Sequence, residues 1–243
     1  MGEQMAHFKV IKGPGPPLRK HFDEGIVKAP IACPFLEIDD QKLVQRTIVA
    51  LRRGPIRYHR DQVIVCEGDP ADYIFLVLDG IVRSCRTFQD GDRSIADFYL
   101  PGELFGWTDL NHPLSAEAAT NAMVLYLKRS ALLAVAARDS RIGSFLLAAT
   151  TNELRRTQEH ALLMSRSARC RVATFLLDLS RRLGTAKYLD LPMSHQDIAD
   201  HLGLTIETVS RTITELERSE LIARLSPRTL VLLNRASLLR LRN

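Results

Sequence analysis

SHQDIADHLGLTIETVSRTITELERSELI, residues Ser194–Ile222, decides how the C-terminal part of this chain folds. It reads as two short amphipathic helices joined by a turn at Gly203. Ser194 and Asp197 form an S-x-x-D start of the capping-box kind, so the first helix opens at Ser194. Its inward positions are Ile198, Ala199 and Leu202. Gly203 supplies the permissive backbone that a tight helix-to-helix turn requires. Thr205 caps the second helix, and Glu207 sits in its first turn, where the helix dipole favours an acid. Ile206, Val209, Ile213 and Leu216 continue an apolar stripe at helical spacing. Glu207, Thr208, Ser210, Arg211 and Thr212 are assigned to the opposite face. The pattern predicts a helix-turn-helix whose second helix has the size and polarity to enter a major groove.

A plain helical hairpin with a solvated polar face has the same spacing. The chemistry of the face separates the two readings. A solvated face carries long i,i+4 ion pairs, whereas this one places short Thr and Ser side chains between one Glu and one Arg. Glu accepts from cytosine N4, and Arg bonds guanine O6 and N7 as a fork. Glu207 and Arg211 are four apart, so they share a face and can orient each other. The DNA reading follows.

The 243 residues suffice for one large or two modest domains with a buried core. Hydrophobic content of 46% with 25% charged residues is that of a soluble globular protein. No stretch reaches the ~18 apolar residues of a membrane span. The N-terminal MGEQMAHFKVIKGPGPPLRKHF has no continuous apolar region and is expected not to be a secretory signal, which predicts a cytoplasmic protein. The net charge of +5 is unevenly placed. Residues 1–165 hold 20 Lys+Arg and 20 Asp+Glu, while residues 166–243 hold 13 against 8. The excess lies with the helix-turn-helix and implies a polyanionic partner. Cys33, Cys66, Cys85 and Cys170 are scattered without a C-x-x-C pair, so neither a zinc site nor a disulfide framework is predicted.

Upstream, residues 1–30 contain GPGPP and read as an irregular arm, and residues 35–53 read as a helix with Leu36, Leu43, Ile48 and Leu51 inward. From Arg57 to Leu127 short apolar runs alternate with Gly-containing turns. The predicted strands are Gln62–Cys66, Tyr73–Asp79, Ile81–Phe88, Ser94–Leu100 and Ala118–Leu127. Gly68, Gly80, Gly91 and Gly102 fall 12, 11 and 11 residues apart, which implies an antiparallel barrel or jelly roll. Helical periodicity returns with a short helix at Arg129–Arg138 and a long one from Ser140 to Met164. Leu147, Leu154 and Ala161 mark one heptad line of the long helix, with Gln158 near the other. A helix packed on its own barrel explains these apolar residues equally well. The need of a helix-turn-helix for a partner on two half-sites favours dimerisation. A helix at Ala168–Leu183 follows, and Ala223–Leu225 with Thr229–Leu233 reads as a two-stranded wing. The expected organisation is an arm (1–30), a β-roll (31–138), a dimerisation helix (139–165) and a winged helix-turn-helix (166–243), an α+β chain.

With that architecture the chain resembles the CRP/FNR superfamily of bacterial transcription regulators, from about residue 33 to the C-terminus. EGDPADYIFLVLDGIVR (Glu67–Arg83), YLPGELFG (Tyr99–Gly106) and PMSHQDIADHLGLTIETVSRTITELERSELI (Pro192–Ile222) carry the resemblance. The E-x-x-S-R pattern of Glu207, Ser210 and Arg211 is similar to the FNR branch, in particular its FixK-like members. The resemblance implies a homodimer on a palindrome like TTGAT-N4-ATCAA, with Glu207 and Arg211 reading bases and Ser210 against a thymine methyl. It implies that Ser194, His195, Gln196, Thr205 and Thr208 hold the DNA backbone. His195 departs from the Arg common at that place. Implied partners are double-stranded DNA, a second copy paired through Leu147, Leu154, Gln158 and Ala161, and RNA polymerase, with no membrane. Implied targets are activated genes of low-oxygen respiration, nitrogen fixation or denitrification.

The resemblance leaves the signal open. Nucleotide-binding members carry an Arg-Ser pair after Gly-Glu-Leu. Here Gly102-Glu103-Leu104 is followed by Ser115-Ala116-Glu117-Ala118-Ala119, and no Lys or Arg occurs from Ser94 to Leu127, which counts against a cyclic phosphate. An iron–sulfur cluster needs four grouped thiolates, which this spacing lacks. His7, His21, His59, His112 and His160 are conceivable haem ligands, and Cys170 is the one thiol of the DNA-binding part. The alternative is therefore an effector-gated member responding to haem, nitric oxide or another small ligand. The default expectation is no cofactor and no metal. A cupin-like enzyme is the rival from another class, but the predicted strands contain no His to hold its metal, so no enzyme is expected.

Overall fold

The computed structural model describes residues 38–242. The predicted arm, Leu36, His7, His21 and Cys33 lie outside them. Helix α1 (Ile38–Leu51) leads into a roll of eight strands: β1 (Arg52–Tyr58), β2 (Val63–Val65), β3 (Tyr73–Asp79), β4 (Val82–Thr87), β5 (Arg93–Tyr99), β6 (Leu104–Phe105), β7 (Ser115–Ala118) and β8 (Ala122–Lys128). They form two antiparallel four-stranded sheets, ordered β1-β8-β3-β6 and β2-β7-β4-β5. β3 reads YIFLVLD, a nearly unbroken apolar run, because both of its faces are covered. Phe75 and Val77 point between the sheets, with Val82, Phe105, Ala116, Ala118 and Val124. Ile74 and Leu76 point outward, onto α1 and onto the helices that follow the roll, α2 (Arg129–Ala136) and α3 (Ser140–Leu163).

The second sheet is also covered outside. Ile81, Cys85, Ile95 and Phe98 pack on α4 (Ala168–Arg182) and on the helix-turn-helix, α5 (His195–Leu202) and α6 (Ile206–Arg218). One apolar core thus runs from the roll into the C-terminal part. There β9 (Tyr188–Asp190), β10 (Ile222–Arg224) and β11 (Thr229–Leu232) form a small antiparallel sheet in the order β10-β11-β9, and α7 (Arg235–Arg242) packs against α4.

Several expectations need correction. The helix expected over 35–53 ends at Leu51, because Arg52 onward pairs with β8 as a strand, Arg52 opposite Leu127. The single strand expected at Ala118–Leu127 is two, broken by a turn at residues 119–121. Gly80 closes on that turn: a Cβ there would stand 2.1 Å from the Asn121 carbonyl oxygen. The wing has a third strand, β9, supplied from before the helix-turn-helix. Strand β6 and helix α7 were not predicted; the first is two residues long and the second, RASLLRLR, only eight.

Candidate DNA interface

The capping box predicted from Ser194 and Asp197 is formed. Ser194 Oγ accepts the Asp197 N–H at 3.0 Å, and Asp197 Oδ2 accepts the Ser194 N–H at 3.3 Å. Gly203 ends α5 at φ 59°, a left-handed backbone that suits glycine, and its N–H returns to the Ala199 carbonyl. The chain then enters α6 with Thr205 as cap, Oγ1 accepting the Thr208 N–H at 3.2 Å. The arrangement fixes the start of both helices by local bonds alone.

Helix α6 buries Val209, Thr212, Ile213 and Leu216. Thr212 was expected on the outer face and is inward, because positions 209, 212, 213 and 216 complete the i, i+3, i+4, i+7 stripe. Glu207, Ser210 and Arg211 are exposed as expected. Glu207 and Arg211 do not orient each other. The Glu207 carboxylate turns back on its own backbone N–H and the Thr205 hydroxyl, which hold it below the usual carboxylate range. Arg211 Nη2 reaches Thr208 Oγ1 at 3.5 Å. A charged acceptor and a guanidinium fork thus stand one turn apart, neither in an ion pair among the described residues. Thr214 and Arg218 continue the same ridge and help line its shallow groove. They were missed, although counting on from Ser210 and Arg211 by four and seven finds them.

The residues expected at the DNA backbone cluster at the two helix starts. Ser194, His195 and Thr208 are half-buried, and Gln196 and Thr205 are exposed. Burial, and the Arg224 charge across from it, lower the pKa of His195. Gln196 Nε2 donates to Asp200 at 2.6 Å. On α3, Leu147, Leu154, Gln158 and Ala161 are all exposed, Leu147 at 70% and Leu154 at 56%. Leu162, not predicted, is 74% exposed near the same helix end.

Residues 170–241 match the Crp-like helix-turn-helix domain family, and residues 55–139 match the cyclic nucleotide-binding domain family. The chain is 42% identical over 209 residues to the nitrogen fixation regulation protein FixK of Azorhizobium caulinodans, spanning 83% of this chain and 84% of that protein. It belongs to the CRP/FNR family of transcription regulators. FixK of Rhizobium meliloti is 41% identical over 175 residues, 71% of this chain and 80% of that protein. The structure of FixK2 from Bradyrhizobium japonicum superposes with a TM-score of 0.74 at 42% identity, covering 78% of this chain and 97% of that one. The chain is thus a DNA-binding regulator whose roll and helix-turn-helix are those of the CRP/FNR fold.

In this CRP/FNR chain the interior of the roll is occupied by its own rings. Phe75 stacks on Phe105 with centroids 4.9 Å apart, and Tyr99 stacks on Phe105 at 5.1 Å. The missing cation noted beside Glu117 is supplied from β4: Arg83 lies opposite Glu117 across the β4–β7 pair and binds it at 2.6 Å. Linear reading could not find it, since the partner is on another strand. The guanidinium is already committed to carboxylates, so it is not available for a phosphate. His59 is exposed, His112 is buried against Phe75, and His160 stacks on His201. A cavity of about 70 Å³ opens beside the two stacked rings, bounded by Phe98, Phe175 and Leu179, and has room for a few waters but not for haem. Among the described residues no group of three or more His, Cys, Asp and Glu could hold a metal ion. Cys85 and Cys170 are buried and Cys66 is exposed; burial and the Glu117 carboxylate push the Cys85 thiol up to about 11. No described helix is long and apolar enough to cross a membrane.

Proposed function

We propose that the chain is a cytoplasmic, homodimeric activator that binds a TTGAT-N4-ATCAA-like palindrome without needing an effector. In this reading residues 31–138 are a β-roll domain behind an irregular arm (1–30), residues 139–165 the dimerisation helix, and residues 166–243 the winged helix-turn-helix. The observation that carries it is the exposed ridge of α6, where Glu207, Ser210 and Arg211 stand clear of ion pairs. Arg211 takes a guanine edge, Glu207 a cytosine amine and Ser210 a thymine methyl, each good base contact worth roughly 1–3 kcal/mol. Ser194, His195, Gln196, Thr205 and Thr208 meet phosphates at the two helix starts, where backbone N–H groups and dipoles favour anions. The 13 Lys+Arg against 8 Asp+Glu of residues 166–243 add salt-dependent, sequence-independent affinity. Two α3 helices pair through Leu147, Leu154, Gln158 and Ala161 and set the recognition helices one DNA turn apart, about 34 Å.

Effector independence is supported by the ring-filled roll and the committed Arg83. Regulation of nitrogen-fixation genes is supported by the names of the FixK relatives; activation through RNA polymerase, there or on genes of low-oxygen respiration or denitrification, belongs to the same reading. The test is binding of the purified protein, in air and without ligand, to the palindrome and to a scrambled duplex across a salt series. Tight binding to the palindrome alone is expected. Equal binding to both duplexes refutes the base-reading assignment.

A further inference from the structure

The same Asp197 that closes the capping box of α5 is held by the β-roll. Its side chain is 1% exposed, and Oδ1 receives Arg83 Nη1 at 3.0 Å and Arg93 Nη2 at 2.6 Å. Arg93 Nε also donates to Asp200 Oδ2, one turn further along α5, at 2.7 Å. Arg83, itself 3% exposed, is locked from behind by Glu117 at 2.6 Å. These partners lie 104 to 114 residues apart in the chain and on different units of the fold.

A capping box needs no such help. Local bonds already satisfy the start of α5, so the arginines are not explained by helix formation. A buried ion pair is a poor source of net stability, because desolvation offsets much of the attraction. It does fix geometry. Guanidinium forks bind carboxylates in one plane and direction, and shifting α5 along the roll strips the buried Asp197 of the Arg83 and Arg93 guanidinium groups. The contact therefore permits one placement of α5, and with it of α6.

We propose that Arg83 and Arg93 are positioning residues for DNA binding: through Asp197 and Asp200 they hold the helix-turn-helix at one fixed angle to the roll and α3, so that a dimer presents its two recognition helices at the spacing of its palindrome. The inference rests on the dimeric reading above. Orientation fixed before binding spares the ordering cost that loosely tethered domains meet on the DNA. It also makes the spacing between half-sites part of what the protein recognises.

The test uses the full-length protein and three duplexes: the palindrome with a four-base-pair spacer, the same half-sites with a six-base-pair spacer, and a single half-site. Arg93→Gln and Asp200→Asn each remove one side of the contact at its more accessible end, and Arg93→Lys keeps the charge. We expect both neutral variants to bind the four-base-pair palindrome about tenfold more weakly. Their preference for that spacer over the longer one shrinks, single half-site binding hardly changes, and Arg93→Lys restores part of the loss. Thermal melting and sedimentation check that the variants stay folded and dimeric. Should Arg93→Gln fail to fold, Asp200→Asn, nearly equal in volume, carries the test. Unchanged affinity and spacer preference overturn the proposal. So does an equal loss on the half-site with a shallower salt dependence, which makes Arg93 a direct phosphate contact. A gain in affinity also overturns it, because the contact then holds the domain off DNA. Failure of the dimeric reading is seen separately, in a wild-type protein that sediments as a monomer and binds the palindrome no more tightly than the single half-site.

Discussion

Among the described residues no carboxylate pairs with Arg211; its guanidinium reaches the Thr208 hydroxyl, at 3.5 Å. A fork held on a helix surface with its donors unspent is suited to a base edge, and its removal deletes discrimination without deleting attraction to phosphate. Arg211→Ala is expected to lose roughly 1–3 kcal/mol per half-site on the palindrome and nothing on the scrambled duplex. Anisotropy titrations with both duplexes measure it, and retained discrimination rules out this role for Arg211. The residues of this ridge were legible because exposure on a helix follows a 3.6-residue period that a single sequence displays. Thr212 is the exception: its hydroxyl suggests the outer face, while its angle on the helix places it inward with Val209, Ile213 and Leu216. The Arg83–Asp197 and Arg93–Asp200 pairs were not legible at all. Their members are brought together by the packing of α5 on the sheet edge formed by β4 and β5, and no local pattern records a contact across 100 residues.

At the scale of elements, α5 is joined to the roll by His201 as well as by its carboxylates. The ring lies between Phe98 and Phe175, stacks on His160 with centroids 4.4 Å apart, and has Nδ1 3.1 Å from the Ile95 carbonyl. Burial first, and then the neighbouring His160, push its pKa down to about 4, although the Asp97 charge pulls it the other way. His160 is lowered too, again by burial foremost. Both rings therefore resist protonation in the folded protein, and the unfolded chain takes up protons first as pH falls. The stability they contribute is complete above the ordinary histidine range near 6.5, declines as pH falls from there, and stops changing below about 4 for His201. For His201 alone this amounts to about 2 kcal/mol lost by pH 5. Urea unfolding at pH 7.5 and pH 5 is expected to show that loss in the wild type and a smaller one in His201→Gln, whatever the variant's own stability. An identical pH slope in both places the proton uptake elsewhere. Of the elements themselves, the long periodic ones were legible: α3, α4 and the helix-turn-helix fall within one or two residues of expectation. The strands whose existence depends on a distant partner were not. Arg52–Tyr58 carries a Gly-Pro and three arginines, and becomes β1 because β8 is beside it.

For the whole molecule, the uncovered surface of α3 decides how the units are used. The N-terminal half of the helix buries Ile142, Phe145 and Leu146 against the roll, whereas Leu147, Leu154 and Leu162 face outward at 56 to 74% exposure. Leu147, Leu154 and Ala161 repeat every seven residues, so they form one line along the helix that a second, equivalent helix can meet by the same line. The line is short and only partly apolar, which makes association sensitive to a single charge at its middle. Leu154 is that middle. Leu154→Glu places two carboxylates against each other across a two-fold seam while leaving the buried face of α3 untouched, so the protomer should keep its melting temperature within a few degrees. Sedimentation velocity is expected to show the wild type as a dimer and Leu154→Glu as a monomer, with palindrome binding reduced to that of a single half-site. A variant that sediments as wild type and still binds the palindrome moves the dimer contact off this face of α3, and the spacing of the two recognition helices must then be set from another surface.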